Sequence, residues 1–163
     1  MAASLYGIVD TARDRQLYEL VSATAEHVCL FAGQLKAPLE RVAPYLVRLS
    51  SSPNFAKIWQ NEWGQSWGIL CVSVASLEQL RLHFRQFLQA KLPDGQIALF
   101  RFYDPRVFRI YLPTCDLVQL RAWFACAEEF RVEAAGNGKP VVFRLGANGL
   151  IGPSKGEGYG CLT

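Results

Sequence analysis

Arg101-Phe102-Tyr103-Asp104-Pro105-Arg106 directly follows the apolar run Ile97-Ala98-Leu99-Phe100. The apolar run is typical of a buried strand, and the residues after it bring two guanidinium groups, a carboxylate and a phenol close together. An unpaired charge inside a protein is strongly unfavourable, so buried charges are normally paired. We therefore expect both arginines to be paired, and the stretch to be a strand-to-helix corner stabilised by ion pairs.

Asp104 and Pro105 indicate that a helix begins at this corner. An Asp at the N-cap accepts a hydrogen bond from the first turn, and Pro is suited to the first helical position because its missing N–H is not needed there. Residues 107–112 could alternate as a strand or pack as a short helix, and the cap favours the helix.

Strands and helices alternate along the rest of the chain. Predicted strands cover Leu5–Val9, His27–Ala32, Tyr45–Val47, Trp67–Val74 and Ile97–Phe100, and predicted helices follow Thr11, Ser52, Ser76, Asp104 and Thr114. Ser76 and Gln79 form a capping box, and Trp67–Val74 is apolar enough to be covered on both faces. Such alternation predicts an α/β fold with a mixed, mostly parallel sheet flanked by helices.

The C-terminal part has a different pattern. Residues 130–134 and 141–145 resemble an antiparallel hairpin around Asn137-Gly138, a strong two-residue turn signal. After residue 145, glycines alternate with polar residues, which is typical of a flexible arm. We therefore predict one α/β domain over residues 1–145 and a glycine-rich tail over residues 146–163.

Composition limits the class of protein. The 163 residues are 51% hydrophobic and 12% aromatic, which indicates a folded chain rather than a disordered one. The net charge of +3 is spread out, so no nucleic-acid partner is indicated, and no apolar run is long enough for a membrane span. The five cysteines lack CxxC spacing and favour a reducing compartment. We expect a cytoplasmic protein.

Gly64-Gln65-Ser66-Trp67-Gly68 matches the GxSxG pattern of serine hydrolases. That motif requires a strand before the serine and a helix after it, whereas here a helix precedes and a strand follows. Glu78 and His83, the acid and the histidine that come after Ser66, lie five positions apart on one predicted helix and cannot line up with each other. A hydrolase using Ser66 therefore stays an alternative, and we predict no catalytic residue.

The amino-acid sequence also shows no motif typical of a metal or cofactor site. His27 and His83, the two histidines, have no metal-ligand neighbour at useful spacing. The segments at 136–140 and 156–160 are glycine-rich but lack the strand–turn–helix context of a phosphate-binding loop. We predict neither a metal site nor a cofactor.

Trp59, Trp63 and Trp67 recur every four residues, so a helix reaching Trp63 would stack the first two on one face. Core packing is one interpretation. The other is an aromatic patch that binds a protein partner, because Trp, Tyr and Arg are frequent interface anchors.

Four segments together resemble one known family. They are Leu5–Arg13, Ala43–Val47, the strand from Trp67 with the helix over 77–88, and the corner Arg101-Phe102-Tyr103-Asp104-Pro105-Arg106. In this order they resemble the small α/β domain of the type VI secretion adaptor chaperones, over roughly residues 5–130. The corner residues Arg101, Tyr103, Asp104, Pro105 and Arg106 match the signature of that family.

The resemblance implies a non-enzymatic role. Members of the family bind a toxic effector in the cytoplasm and help to load it onto a VgrG spike protein. Many members continue into a further helical lobe, whereas this sequence continues into the predicted hairpin and tail. A second adaptor subunit is therefore a further expected partner. A structural subunit of a larger complex is the remaining alternative.

Overall fold

The computed structural model of the protein describes residues 2–136 and 139–153. The strands are β1 (Ser4–Asp10), β2 (His27–Cys29), β3 (Pro44–Arg48), β4 (Gly68–Ser73), β5 (Gln89–Lys91), β6 (Ile97–Leu99), β7 (Glu129–Val132), β8 (Val141–Gly146) and β9 (Gly149–Ile151). The α-helices are α1 (Leu17–Ser22), α2 (Ala37–Glu40), α3 (Pro53–Asn61), α4 (Leu77–Arg85), α5 (Pro105–Tyr111) and α6 (Leu117–Trp123). Within this described part, no helix combines the length and apolar character needed to cross a membrane.

Seven strands form one sheet in the order β2-β3-β1-β4-β7-β8-β9. Every neighbouring pair in it is antiparallel. The predicted mixed, mostly parallel sheet is therefore wrong.

The helical crossovers explain why the alternation of strands and helices suggested a mostly parallel sheet. Helix α1 links β1 to β2, which run parallel, but β3 lies between them and runs the opposite way. Helix α3 likewise links β3 to β4 with β1 inserted between them. The first four strands thus have the split βαβ arrangement, in which parallel crossovers produce a sheet of antiparallel neighbours.

The two faces of the sheet pack against different helices. Leu17, Val21, Phe55 and Trp59 of α1 and α3 form one core with β1 and β3. Helices α4, α5 and α6 form a second, larger core with the opposite face of β1, β4 and β7. On β4, Leu70 and Val72 remain only half-buried, so α1 and α3 leave the β4–β7–β8 part of their face largely open.

A strand does begin at Ile97 as predicted, but the prediction that it is buried is wrong. Strand β6 pairs only with β5, in a separate two-stranded hairpin. Ile97 is 69% exposed and Leu99 52% exposed. The turn at 93–95 sends the chain straight back along itself, so β6 pairs locally and never enters the main sheet.

The helix starts were predicted with mixed success. The helix at Pro105 and the capping box of Ser76 with Gln79 are confirmed. Thr11 caps no helix, because its hydroxyl donates to the carbonyl of Ala43 at 2.6 Å and α1 begins only at Leu17. Helix α6 is capped by Asp116 rather than by Thr114.

The C-terminal hairpin is confirmed, since β7 and β8 pair with Phe130 opposite Phe143. Its predicted turn, Asn137-Gly138, lies outside the described residues. Strand β9 extends the sheet beyond residue 145 by pairing with β8. The rest of the predicted tail, residues 154–163, lies outside the described residues, and the division of the chain at residue 145 stays a prediction.

Candidate functional site

The corner after β6 is joined to the end of β1 by an ion pair. The guanidinium of Arg101 donates a hydrogen bond to the carboxylate of Asp10, whose side chain is 1% exposed, while that of Arg101 is 46% exposed. Burial by itself would lower the pKa of Arg101, but the hydrogen bond and charge of Asp10 outweigh it and raise the pKa. One guanidinium edge therefore contacts a buried anion while the group remains accessible to solvent.

Asp104 has two structural roles at the same corner. Its Oδ1 accepts a hydrogen bond from the backbone N–H of Arg106 at 2.9 Å, which caps α5, and Pro105 occupies the first turn as predicted. Its carboxylate also accepts from Nε and Nη2 of Arg106 at 3.0 and 2.7 Å. Burial acts to raise the pKa of Asp104, yet the hydrogen bonds to Arg106 hold that pKa below its ordinary value. The carboxylate is thus held ionised.

Tyr103 is buried between these two pairs. The Cζ of Arg101 lies 6.0 Å from the centre of its ring, at the outer limit of a cation–π contact. Burial, with the nearby charge of Asp10, raises the pKa of Tyr103 to about 12. The phenol therefore stays protonated at neutral pH.

We call Asp10, Arg101, Tyr103, Asp104 and Arg106 the charged corner. Asp10 is paired with Arg101, Asp104 is paired with Arg106, and the phenol of Tyr103 is neutral near pH 7. The guanidinium groups of Arg101 and Arg106 are both about half exposed. Such groups are suited to binding carboxylates of another molecule.

Glu133 fixes the loop that carries the GxSxG pattern. Its buried carboxylate accepts a hydrogen bond from the backbone N–H of Gly64 at 3.0 Å and from that of Ser66 at 2.9 Å. Gly64 has a φ of +105° and Ser66 a φ of +58°, and both conformations turn their N–H groups toward the carboxylate. Two backbone donors of this loop are thus occupied by a side chain of the protein itself.

Neither histidine contacts Ser66. His83 on α4 is hydrogen-bonded through Nε2 to the backbone oxygen of Trp123 at 3.1 Å, and His27 is hydrogen-bonded to Thr24. Ser66 lies between α3 and β4, the helix-then-strand order that the sequence predicts and the reverse of a hydrolase elbow. Among residues 2–136 and 139–153, no three His, Cys, Asp or Glu side chains are grouped so that they could hold a metal ion.

The three predicted partner-binding tryptophans belong to one core cluster, with Trp59 and Trp67 buried in it and Trp63 packed against it. Trp67 is 5% exposed and belongs to the core of α1 and α3. Helix α3 ends at Asn61, so Trp59 and Trp63 do not stack on one helical face as the spacing predicts. Both nevertheless line one groove of about 920 Å³ between α3 and the sheet. We call it the tryptophan groove; it also includes Leu5, Leu49, Lys57, Gln60, Leu70 and Arg131.

Two acidic residues of the site were not predicted from the sequence. Asp10 ends a short strand, a position that indicates nothing about a partner 91 positions away. Glu133 lies inside the predicted hairpin strand over residues 130–134 and resembles an ordinary surface acid. For Asp10 the sequence does contain one signal in its partner Arg101, since an arginine directly after an apolar run indicates that a carboxylate pairs with it.

This antiparallel α/β domain with a charged corner matches one known family. The family described as Domain of unknown function (DUF4123) matches residues 5–122, more than half of the chain, and the protein belongs to it. The match includes β1, the strand and helix over 68–85, and the whole charged corner. Comparison with curated proteins and with solved structures gives no match.

Proposed function

We propose that the protein is an adaptor that binds a type VI secretion effector in the cytoplasm and helps to load it onto the VgrG spike protein, without catalysing a reaction. The observation that carries this proposal is membership of the family over residues 5–122. The family is associated with type VI secretion effectors, and the charged corner that suggested the resemblance lies inside the matched region.

The surface supports a protein-binding role. Apolar side chains are exposed on the β5–β6 hairpin at Ile97 and Leu99, close in sequence to the half-exposed Arg101. Strand β9 ends the main sheet, and its outer edge pairs with no other described strand. Exposed apolar side chains, arginines and an available sheet edge are features that protein partners use.

Co-purification tests the proposal directly. The tagged protein is co-expressed with the effector and the VgrG spike protein encoded beside its gene, and we expect one or both to be retained through washing. Omitting the tagged protein provides the control for non-specific retention. If neither neighbour is retained, the proposal is wrong.

The two alternatives give different results in the same preparation. A hydrolase would convert generic ester substrates and lose turnover on Ser66→Ala, whereas we expect no turnover in either form. A structural subunit would co-purify at fixed stoichiometry with one large complex, whereas we expect an adaptor to be retained with the effector or the spike protein. A second adaptor subunit would appear as a further band that is retained with the effector.

A further inference from the structure

Two indole N–H groups at the tryptophan groove have no acceptor. The Nε1 atoms of Trp59 and Trp63 are both buried, and neither donates a hydrogen bond to any described residue. Trp59 is 2% exposed, so solvent does not readily satisfy its donor. Buried donors in folded proteins are nearly always paired, so the packing of these two rings is unusual. Both nitrogen atoms are closed off from the surface, so a molecule in the groove contacts the rings rather than their N–H groups.

The charge around the groove favours an anion. Among the described residues that line it, Lys57 and Arg131 are charged and none is acidic. On the adjoining strands, Arg131 and Arg144 share the single carboxylate of Glu129. Lys57 is exposed on α3 and forms no ion pair with any described residue. The surface therefore has an excess of positive charge that a carboxylate-bearing partner would neutralise.

The groove continues into a strip on the open part of the sheet, where apolar side chains lie beside the ion pairs of Arg131 and Arg144 with Glu129. Leu70 on β4 lies opposite Arg131 on β7, which lies opposite Val142 on β8, so the three side chains share one face. Val72, two residues after Leu70, points to the same side. All four are only half-buried. This strip extends the groove across three strands, which suits an elongated protein segment better than a compact small molecule.

We propose that the tryptophan groove binds an acidic amphipathic segment of a partner protein. Apolar side chains of the segment pack on Leu5, Leu70 and Trp63, and its carboxylates pair with Lys57 and Arg131. This inference rests on the proposed adaptor function, because it identifies the surface that holds the effector or the spike. The charged corner is then a support of the fold rather than the principal contact.

Selection from a random-peptide display library tests the groove without a known partner. We expect enrichment of peptides that combine acidic and apolar residues. We call the double variant Lys57→Glu and Gln60→Glu the α3 variant. Fluorescence titration should show that an enriched peptide binds the α3 variant at least about tenfold more weakly than it binds the wild-type protein, because both exposed positions then repel acidic groups. Lys57→Ala, a milder change, should weaken binding in the same direction.

The matched control carries the same charge changes on the β5 strand. Gln89→Glu with Lys91→Glu alters two exposed residues away from the groove and should leave peptide affinity unchanged. Thermal unfolding of each variant verifies that it is folded. The inference is overturned if no peptide is enriched, if enriched peptides lack acidic residues, or if the control variant loses as much affinity as the α3 variant.

Full-length partners separate this inference from the proposed function. If the effector or spike binds the wild-type protein and the α3 variant equally well, the adaptor function stands and the groove assignment is wrong. If neither binds the wild-type protein, the adaptor function is wrong and the peptide selection still decides the groove. A dimer of the wild-type protein that the α3 variant abolishes would instead assign the groove to a second copy and overturn the inference.

Discussion

The guanidinium of Arg101 donates a hydrogen bond to the buried carboxylate of Asp10 across 91 positions of sequence. This pair attaches the segment after the β5–β6 hairpin to the end of β1 in the main sheet. An element outside the sheet is thereby held at a defined place on it. The pair is therefore a structural contact that also leaves a guanidinium accessible.

Arg101→Met should destabilise the protein by about 1–3 kcal/mol, because it leaves the acceptor of Asp10 buried without its charged partner. Chemical denaturation measures the free energy of unfolding. Arg41→Met provides the control, since Arg41 pairs with Glu19 and both side chains are mostly exposed, so its loss should cost about 0.5 kcal/mol or less. Equal losses in the two variants would show that the pair with Asp10 contributes no more than a surface ion pair.

Asp104→Ala should destabilise the fold more than it weakens partner binding. The change removes the cap of α5, worth about 1 kcal/mol, and also leaves Arg106 without its carboxylate. Asp116→Ala is the matched control, because Asp116 caps α6 and is exposed. A melting temperature like that of the wild-type protein, combined with lost binding of the effector, would instead make Asp104 a contact residue.

Gly7→Ala should destabilise the protein by about 1–3 kcal/mol through overpacking. A Cβ at Gly7 would overlap the six-membered ring of Trp59, which packs directly on β1. Combining Gly7→Ala with Trp59→Phe should cost less than the sum of the single changes, because the smaller ring vacates that space. Strict additivity in urea denaturation would contradict the proposed overlap.

Glu133→Ala should cost about 1–3 kcal/mol, since it leaves the N–H groups of Gly64 and Ser66 without their acceptor. Glu133→Gln should cost less, because an amide oxygen can still accept from one of them. Thermal and chemical unfolding would rank the variants. If Gln is as harmful as Ala, charge rather than hydrogen bonding holds this loop.

His83 should make the protein less stable as the pH falls below about 6.5. Burial lowers the pKa of His83 in the folded protein, with its hydrogen bond to the Trp123 carbonyl only partly opposing the shift. The unfolded chain then binds a proton at a higher pH than the folded chain, so the free energy of unfolding declines from that pH down through the folded pKa. His83→Gln should flatten this decline. An unchanged slope between pH 6.5 and pH 5 would assign it to other groups.

The sequence predicts helix starts and the hairpin correctly where the contacts that form them are close in sequence. Asp104 and Pro105 cap α5, and Ser76 and Gln79 cap α4, because each interaction lies within one helical turn. The pairing of β7 with β8 was likewise predictable, because two apolar segments flank the turn signal Asn137-Gly138 in the sequence. The Trp59–Trp63 stack failed because α3 ends at Asn61, and helix ends are poorly marked when no cap is present.

The order of residues was enough to place most strands of the main sheet, the helices that begin at Leu77 and Pro105, and a corner with paired arginines, because propensity and capping act over a few neighbouring positions. It did not place β5 or β9. Tertiary structure alone decided that the sheet is antiparallel and that Asp10 pairs with Arg101. It also decided that Glu133 accepts hydrogen bonds from the loop that contains Ser66. Trp59 and Trp63 share a groove for the same reason. Each of these depends on which strand is inserted beside which. The order of strands in the sheet results from the packing of segments that are distant in sequence, so no short stretch of sequence is enough to predict it.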